Sequence, residues 1–142
     1  TWSPWIGCTK VSPACDGCYA EHLMDTRLGR VEWGPHGERK RTSDSYWGQL
    51  SKWNRAAEKA GRLATVFPSL CDPFDKQADP GVRREWFAEM RATPHLVYLL
   101  LSKRPQNMIR LSEEAGGLPA NAALGATCED QRRADINVPH LA

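Results

Sequence analysis

The sequence predicts an α/β fold built on a parallel sheet. Helix-like and strand-like segments alternate along its second half, which is typical of strands joined by helical crossovers. Residues 96–101 form a continuous apolar run, as expected of a parallel strand covered on both faces. The 142 residues suit one domain, or a piece of a larger one. We therefore expect a single, incomplete α/β domain over residues 1–142.

The first part of the chain, residues 1–29, predicts a loop followed by a helix. Residues 1–17 are rich in Pro, Gly, Ser and Cys, a composition typical of loops. Residues 19–28 carry apolar side chains at near-helical spacing, and Gly29 would end that helix. Residues 30–47 show no period and contain several glycines and prolines, so an irregular insertion is expected there.

The remaining residues, 48–142, predict βα units. The first helix of this part ends at Gly61 and presents one apolar face. The members of that face are Leu50, Trp53, Ala56, Ala57 and Ala60. Residues 63–67 follow as a short apolar strand. Asp79 and Pro80 then supply an N-cap and a first helical residue.

Three further elements complete the predicted order. The helix after Asp79 buries Val82, Trp86, Phe87 and Met90, and it leads into the strand at residues 96–101. Pro105 begins another helix, which glycines end, and residues 122–127 form a third strand. The predicted order is thus helix, helix, strand, helix, strand, helix, strand.

Composition narrows the setting of the protein. No apolar stretch approaches the roughly 20 residues needed to cross a bilayer, and no signal peptide is visible, so no membrane partner is expected. The five cysteines are odd in number, and three of them crowd together, which disfavours a secreted disulfide scaffold. We expect a reducing cytoplasm.

Basic and aromatic residues are concentrated around the insertion. Nine Lys or Arg residues face four acids between Arg27 and Arg62, although the net charge of the whole chain is only +2. The same stretch holds Trp33, Tyr46, Trp47 and Trp53. Basic side chains mixed with aromatics suit phosphate contact and base stacking, so nucleic acid is one expected partner. The alternative is a solvated insertion whose aromatics pack inward.

Three cysteines near the N-terminus predict a metal site. Cys8, Cys15 and Cys18 have the spacing C-x6-C-x2-C, and Gly7 and Gly17 allow a tight backbone around them. Three thiolates would hold a 4Fe-4S cluster and leave one iron open to an outside molecule. The alternative is a closed, structural Cys3His zinc site completed by His22. Spacing alone does not choose between the cluster and zinc.

Polar side chains follow each predicted strand. These are Ser69, Cys71 and Asp72 after the first strand, then Ser102, Lys103 and Arg104, then Thr127, Cys128, Glu129 and Asp130. Ligand sites of barrels and open α/β sheets lie at the carboxyl ends of strands. The default role of Cys71 and Cys128 is that of small buried hydrophobes, although their positions keep a role near a pocket open.

Several segments resemble an uncharacterised family encoded by bacteriophages and bacteria, whose members look like radical S-adenosylmethionine enzymes. The likeness spans nearly the whole chain except the basic insertion, and it implies a bacterial or phage-infected cell as the setting. It is carried by TWSPWIGC (1–8), KVSP (10–13), Cys15, CYAE (18–21), DPF (72–74), LLLSKRP (99–105), LGATCEDQ (124–131) and INVPHL (136–141).

The resemblance implies a partial parallel (β/α) barrel, seen here as an N-terminal fragment, with the cluster loop after the first strand. It also implies that S-adenosylmethionine binds the open iron and is cleaved reductively to a radical that abstracts hydrogen from substrate. Ser69 or Asp72 would contact the methionine amino group, Thr127 and Glu129 the ribose or methionyl moiety, and Lys103 and Arg104 a carboxylate or phosphate. Ser102 belongs to the same cofactor-binding set.

Two features depart from most radical enzymes of this kind. Their first cysteine gap is usually three residues, whereas six separate Cys8 from Cys15, and Gly17 replaces the usual aromatic before the last cysteine. Three functions follow as hypotheses: a radical enzyme that acts on nucleic acid or its precursors; a zinc-stapled α/β module that binds nucleic acid without catalysis; and a catalytically silent iron–sulfur protein that works with a protein partner.

Overall fold

The computed structural model describes residues 1–142 as a mixed α/β protein around a three-stranded parallel sheet. In chain order its strands and helices are β1 (Trp5–Ile6), α1 (Tyr19–Glu21), β2 (Lys40–Arg41), α2 (Asp44–Trp47), α3 (Gln49–Ala60), β3 (Ala64–Val66), α4 (Pro80–Ala92), β4 (Leu96–Ser102), α5 (Met108–Glu114), β5 (Ala122–Ala126) and α6 (Gln131–Asn137). The predicted parallel sheet and its helical crossovers are confirmed.

The main sheet has the order β3-β4-β5, with β4 in the middle. Ala64 pairs with Leu96 on one side of β4, and Tyr98 pairs with Ala122 on the other, both in parallel register. Sequence-adjacent strands are thus neighbours in space, as βαβ connections favour. This register brings the carboxyl ends of all three strands to one edge of the sheet.

The N-terminal segment lies beside the chain that follows β3. The amide of Trp2 donates to the carbonyl of Phe67 at 3.1 Å, and Gly7 forms a parallel bridge with Cys71. A short antiparallel pair between β1 and β2 completes the arrangement. The predicted loop over residues 1–17 therefore contains a strand, because pairing partners distant in sequence order a segment that its own composition does not.

The insertion at residues 30–47 is also less irregular than predicted. Its β2 pairs with β1, and α2 begins behind Ser43, whose hydroxyl accepts the amide of Tyr46 at 3.3 Å. The first predicted helix, over residues 19–28, is an α-turn that continues as a π-helix over His22–Arg27. In that π-helical stretch the amide of Leu28 donates to the carbonyl of Leu23 at 3.0 Å, one residue farther back than in an α-helix.

Helix α3 ends at Gly61 as predicted, with a left-handed φ of +68° that suits glycine. Its buried face is narrower than expected, because Leu50 and Ala57 are buried while Trp53, Ala56 and Ala60 are exposed. Those three side chains line a surface groove between α3 and β3.

The hydrophobic core lies on one face of the sheet, under α4. Trp86, Phe87 and Met90 of that helix are fully buried, and Trp2 and Trp5 from the N-terminal segment join them. The opposite face is open: Leu99 and Leu101 of β4 are 40% and 43% exposed. The expectation that both faces of this strand are covered is therefore wrong for the chain described here, because the helices pack on one side only.

None of the helices combines the length and the apolar character that crossing a bilayer requires.

Candidate functional site

A pocket at the carboxyl end of the sheet gathers most of the predicted site residues. All three clustered cysteines line it, together with Ser69, Asp72, Lys103, Arg104 and Thr127. Its water-accessible volume of about 150 Å³ is below the range of ~300–1,000 Å³ common for ligand sites. Two exposed side chains at its rim, Phe67 and Leu101, connect it to the open face of the sheet. A larger ligand would extend over that face.

The cysteine loop, residues 8–18, starts two residues after β1. Gly7 has a φ of +127°, and a Cβ at this position would clash with the backbone carbonyl of Glu38. Only glycine fits there, so the chain turns sharply just before Cys8. A 3₁₀ turn at Pro13–Cys15 and Gly17, with a φ of +69°, then return the chain to α1.

All five cysteines are free thiols, and Cys15 is buried. No group of three or more His, Cys, Asp or Glu side chains stands close enough to hold a metal ion in this arrangement. The three thiols therefore share one pocket without converging on one point. Holding a metal between them requires the cysteine loop to draw together.

Histidine does not complete the set of thiols in this structure. His22 is exposed at the start of the π-helix and does not line the pocket. The structure thus brings together neither the ligands of a three-cysteine cluster nor those of a closed Cys3His zinc site, and it does not choose between them. Cluster and zinc both stay predictions.

Four residues at the strand ends form what we call the site wall: Asp72, Ser102, Lys103 and Arg104. The carboxylate of Asp72 accepts four hydrogen bonds, two on each oxygen. Oδ1 accepts the Ser102 hydroxyl at 2.6 Å and the Phe74 amide at 3.0 Å. Oδ2 accepts the Lys103 amide at 3.0 Å and Arg104 Nη1 at 2.9 Å.

The filled carboxylate changes the roles that the wall residues suit. Asp72 and Ser102 are buried, and their side chains are hydrogen-bonded to each other and to Arg104. Direct contact of Asp72 with the methionine amino group stays a prediction, but four existing donors leave that carboxylate no open acceptor position. The geometry favours Asp72 and Ser102 as supports for neighbouring groups.

Arg104 connects the site wall to the cysteine loop. Its Nη1 lies 3.4 Å from Cys8 Sγ, and its Nη2 donates to the carbonyl of Thr9 at 2.8 Å. Burial lowers the pKa of Arg104, but the negative charges of Cys8 and Asp72 outweigh burial and raise it. Burial raises the pKa of the Cys8 thiol, and the charge of Arg104 partly opposes that change.

Three of the predicted polar residues remain available to a ligand. Ser69, Lys103 and Thr127 line the pocket, and the buried hydroxyl of Thr127 has no hydrogen-bond partner. Of the pocket's basic side chains, Lys10 and Arg104 pair with acids, whereas no ion pair involves Lys103. An unpartnered hydroxyl and an unpaired ammonium suit a polar, anionic ligand group.

Glu129, the last predicted site residue, lies outside the pocket lining. Its carboxylate is 3.8 Å from Arg133 Nε at the start of α6. The nearby Ser12 hydroxyl is the main reason that the pKa of Glu129 is lowered. Glu129 therefore does not share the pocket lining with Thr127, with which it was expected to share a ligand.

Several lining residues were not predicted from the sequence. Trp33, Phe67 and Leu101 add apolar surface. Cys71, for which the sequence left a role near a pocket open, adds a fourth thiol. Burial raises the pKa of Cys71 well above its usual value. The position of Cys71 at a strand end was the one signal that pointed to it, whereas Trp33 comes from the insertion and carried no such signal.

Internal contacts hold two arginines and two aromatic residues of the basic insertion. Arg39 Nε lies 2.7 Å from Asp75, with both side chains 2% exposed, and Arg41 pairs with Asp44 and Glu85. Trp47 is buried, and Tyr46 stacks on Trp2 with ring centroids 5.6 Å apart. This arrangement favours the inward-packing alternative; nucleic-acid binding stays a prediction.

Fold and pocket together define an α/β protein whose free thiols share a pocket at the carboxyl edge of a parallel sheet. Over residues 1–142 the chain matches the model of a family described as protein of unknown function (DUF5131), and it belongs to that family. No curated protein and no solved structure shows significant similarity to the chain. The resemblance to radical S-adenosylmethionine enzymes remains a prediction beside this family membership.

Proposed function

We propose that this chain carries the cluster-binding part of a radical S-adenosylmethionine-like protein, built on a partial parallel barrel. The observation that carries the proposal is that Cys8, Cys15 and Cys18 line one pocket at the carboxyl ends of parallel strands. Ligand sites of parallel barrels lie at that end. The open sheet face with Leu99 and Leu101 is where the interior of such a barrel would be.

In this proposal the three thiols each bind one iron of a 4Fe-4S cluster. The fourth iron would have no protein ligand, so S-adenosylmethionine would bind to it. Together these groups supply reductive radical chemistry, given one electron from a low-potential donor. The protein's own contribution is to orient the cysteines, bind the cofactor's polar groups and limit the access of water.

The pocket residues divide into two kinds in the proposal. Lys103 would bind the carboxylate of S-adenosylmethionine, and Thr127 and Ser69 would donate to or accept from its polar groups. Phe67 and Leu101 would cover its apolar surface at the rim of the pocket. Asp72 and Ser102 would not touch the cofactor, since they hold the wall together.

The test is metal analysis of protein purified without oxygen and reconstituted with iron and sulfide. We expect a broad absorbance near ~400 nm and about four irons per chain, both lost in Cys8→Ala, Cys15→Ala or Cys18→Ala. Cys71→Ala is the matched control, because Cys71 is a free thiol of the same pocket and should be dispensable. Added S-adenosylmethionine should then perturb the spectrum of the reduced protein.

A colourless protein with one tightly held zinc would contradict the cluster. If that zinc were also lost in His22→Ala, the better account would be a zinc-stapled α/β module. A cluster that forms but leaves S-adenosylmethionine unbound and uncleaved under reduction would instead support the silent iron–sulfur protein. The substrate stays outside the proposal.

A further inference from the structure

Arg104 is the one residue of the site wall that touches the cysteine loop through its side chain. Its guanidinium reaches Cys8 Sγ at 3.4 Å, the Thr9 carbonyl at 2.8 Å and the Asp72 carboxylate at 2.9 Å. The residue is 6% exposed, which is low for an arginine beside a pocket. A planar, rigid fork with three partners holds one orientation.

The orientation of Arg104 is fixed by the residues that hold Asp72 in place. Asp72 is held by the Ser102 hydroxyl and by the amides of Phe74 and Lys103, so it presents Oδ2 to the guanidinium in a fixed place. The Ser102 hydroxyl also accepts the backbone amide of Arg104 at 2.9 Å. The positive charge of Arg104 is thus held in a fixed position beside Cys8, one of the three clustered cysteines.

We propose that Arg104 is a positioning residue that holds Cys8 ready to bind a cluster and donates a hydrogen bond to its sulfur afterwards. This inference rests on the proposed function. Reduction adds one electron, and therefore negative charge, to the cluster and its sulfur ligands. An N–H donor and a positive charge beside Cys8 Sγ stabilise that reduced form, which makes reduction easier.

The role is asymmetric among the three cysteines. Cys15 ends a 3₁₀ turn and Cys18 precedes α1, and the side chain of neither is hydrogen-bonded to the site wall. Cys8 is therefore the anchored ligand, around which the rest of the cysteine loop closes. Removing Arg104 should affect both the uptake of iron and the ease of reduction, without removing a ligand.

The experiment compares wild type with Arg104→Gln after anaerobic reconstitution, by iron content and by a one-electron redox titration with dithionite. We expect the reduction equilibrium constant of the variant to fall about tenfold, equivalent to about 59 mV for one electron. Because Arg104→Gln leaves Asp72 buried and unpaired, a second variant, Asp72→Asn/Arg104→Gln, removes both charges. It should show the same direction of shift with no change in local net charge.

Lys103→Gln is the matched control. It removes a neighbouring positive charge that has no contact with Cys8, so its shift should be clearly smaller. An equal shift would show that charge alone acts, and would overturn the positioning role. Wild-type iron content and potential in whichever Arg104 variant folds would also overturn it, while leaving the proposed function intact. Failure of the wild type to take up a cluster would remove both.

Discussion

The two sides of the pocket differ in how they are held. The site wall is buried and bonded through Asp72, whose carboxylate accepts four hydrogen bonds. The cysteine loop is bonded to the wall only at its start, where Arg104 contacts Cys8 and Thr9. Beyond Thr9 it is held by backbone turns, by one bond from Arg133 to the Val11 carbonyl, and by exposed ion pairs of Lys10 at 3.7 and 3.6 Å. The wall is thus preorganised, whereas most of the loop is held less firmly.

This difference suits a site that assembles around an inserted group. A rigid wall fixes where the group sits, and an adjustable loop allows thiols that do not yet converge to close on it. Bonds from the thiols to the bound group would then order the loop, as happens in metal sites where binding and folding are coupled. From this difference we predict that substitutions in the site wall lower the free energy of unfolding, whereas substitutions in the cysteine loop lower the metal content.

The largest effect is expected from Asp72→Asn. An amide offers one acceptor oxygen and a donating NH2, so donors that now face the carboxylate would meet another donor, and Arg104 would lose its counter-charge. We expect a loss of about 3–5 kcal/mol in the free energy of unfolding, measured by urea denaturation of the metal-free protein. The control is Asp44→Asn, an exposed partner of Arg41, which should cost less than about 1 kcal/mol. Similar losses in both variants would contradict a preorganised wall.

The second prediction concerns a buried tyrosine in the central strand, β4. Tyr98 is fully buried, its hydroxyl lies 2.8 Å from that of Thr93, and burial raises its pKa from 10.0 to about 12. The folded state therefore holds the phenolic proton more tightly than the unfolded state. This contribution is complete below about pH 10 and is lost as pH rises from about 10 to about 12.

Comparison with Tyr98→Phe isolates that contribution from other groups that titrate at high pH. Between pH 9 and pH 12 the wild type should lose about 1–2 kcal/mol more unfolding free energy than the variant. Chemical denaturation at a series of pH values measures both. Parallel pH profiles would show that the phenol titrates normally.

A smaller effect on stability is expected in the cysteine loop. Cys18 is free and half-buried, so Cys18→Ser should change the unfolding free energy of the metal-free protein by less than about 1 kcal/mol. The same variant should lose the bound iron of the reconstituted protein. A loss of stability as large as that of Asp72→Asn would mean that the loop is as rigid as the wall.

The smallest effect belongs to an exposed helical pair outside the pocket. Arg110 and Glu114 approach to 3.9 Å on α5, and both side chains are well exposed. Arg110→Gln should change stability by no more than about 0.5 kcal/mol, and added salt should shrink even that difference. Thermal unfolding at low and high salt provides the measurement.

The predictable parts of the molecule were those with local signals. The strand at residues 96–101, the Gly61 helix end and the polar strand ends follow from patterns within a few residues, and parallel strands bring their ends to one edge. Lys103 and Thr127 were expected at one edge for this reason, whereas the position of Cys8, Cys15 and Cys18 beside them was implied by the family resemblance.

Other features depend on partners far along the chain. Segment 1–17 looks like a loop by composition, but pairing with Arg41 and bridging to Cys71 create β1. The acceptor pattern of Asp72 depends on donors about 30 positions away, so its supporting role was missed and a ligand role was predicted instead. The exposed face of β4 was missed because an apolar run does not reveal whether one or two layers cover it.

The contact between Arg104 and Cys8 joins positions 96 residues apart. A ribosome adds ~5–20 residues per second, so Cys8 is synthesised roughly 5–20 s before Arg104. During that interval the thiol has no wall beside it and is open to oxidants or to whichever metal arrives first. Under the proposed function, correct loading of the pocket would therefore depend on timing: iron delivered after synthesis would meet an anchored Cys8, whereas iron delivered during synthesis would meet a bare chain.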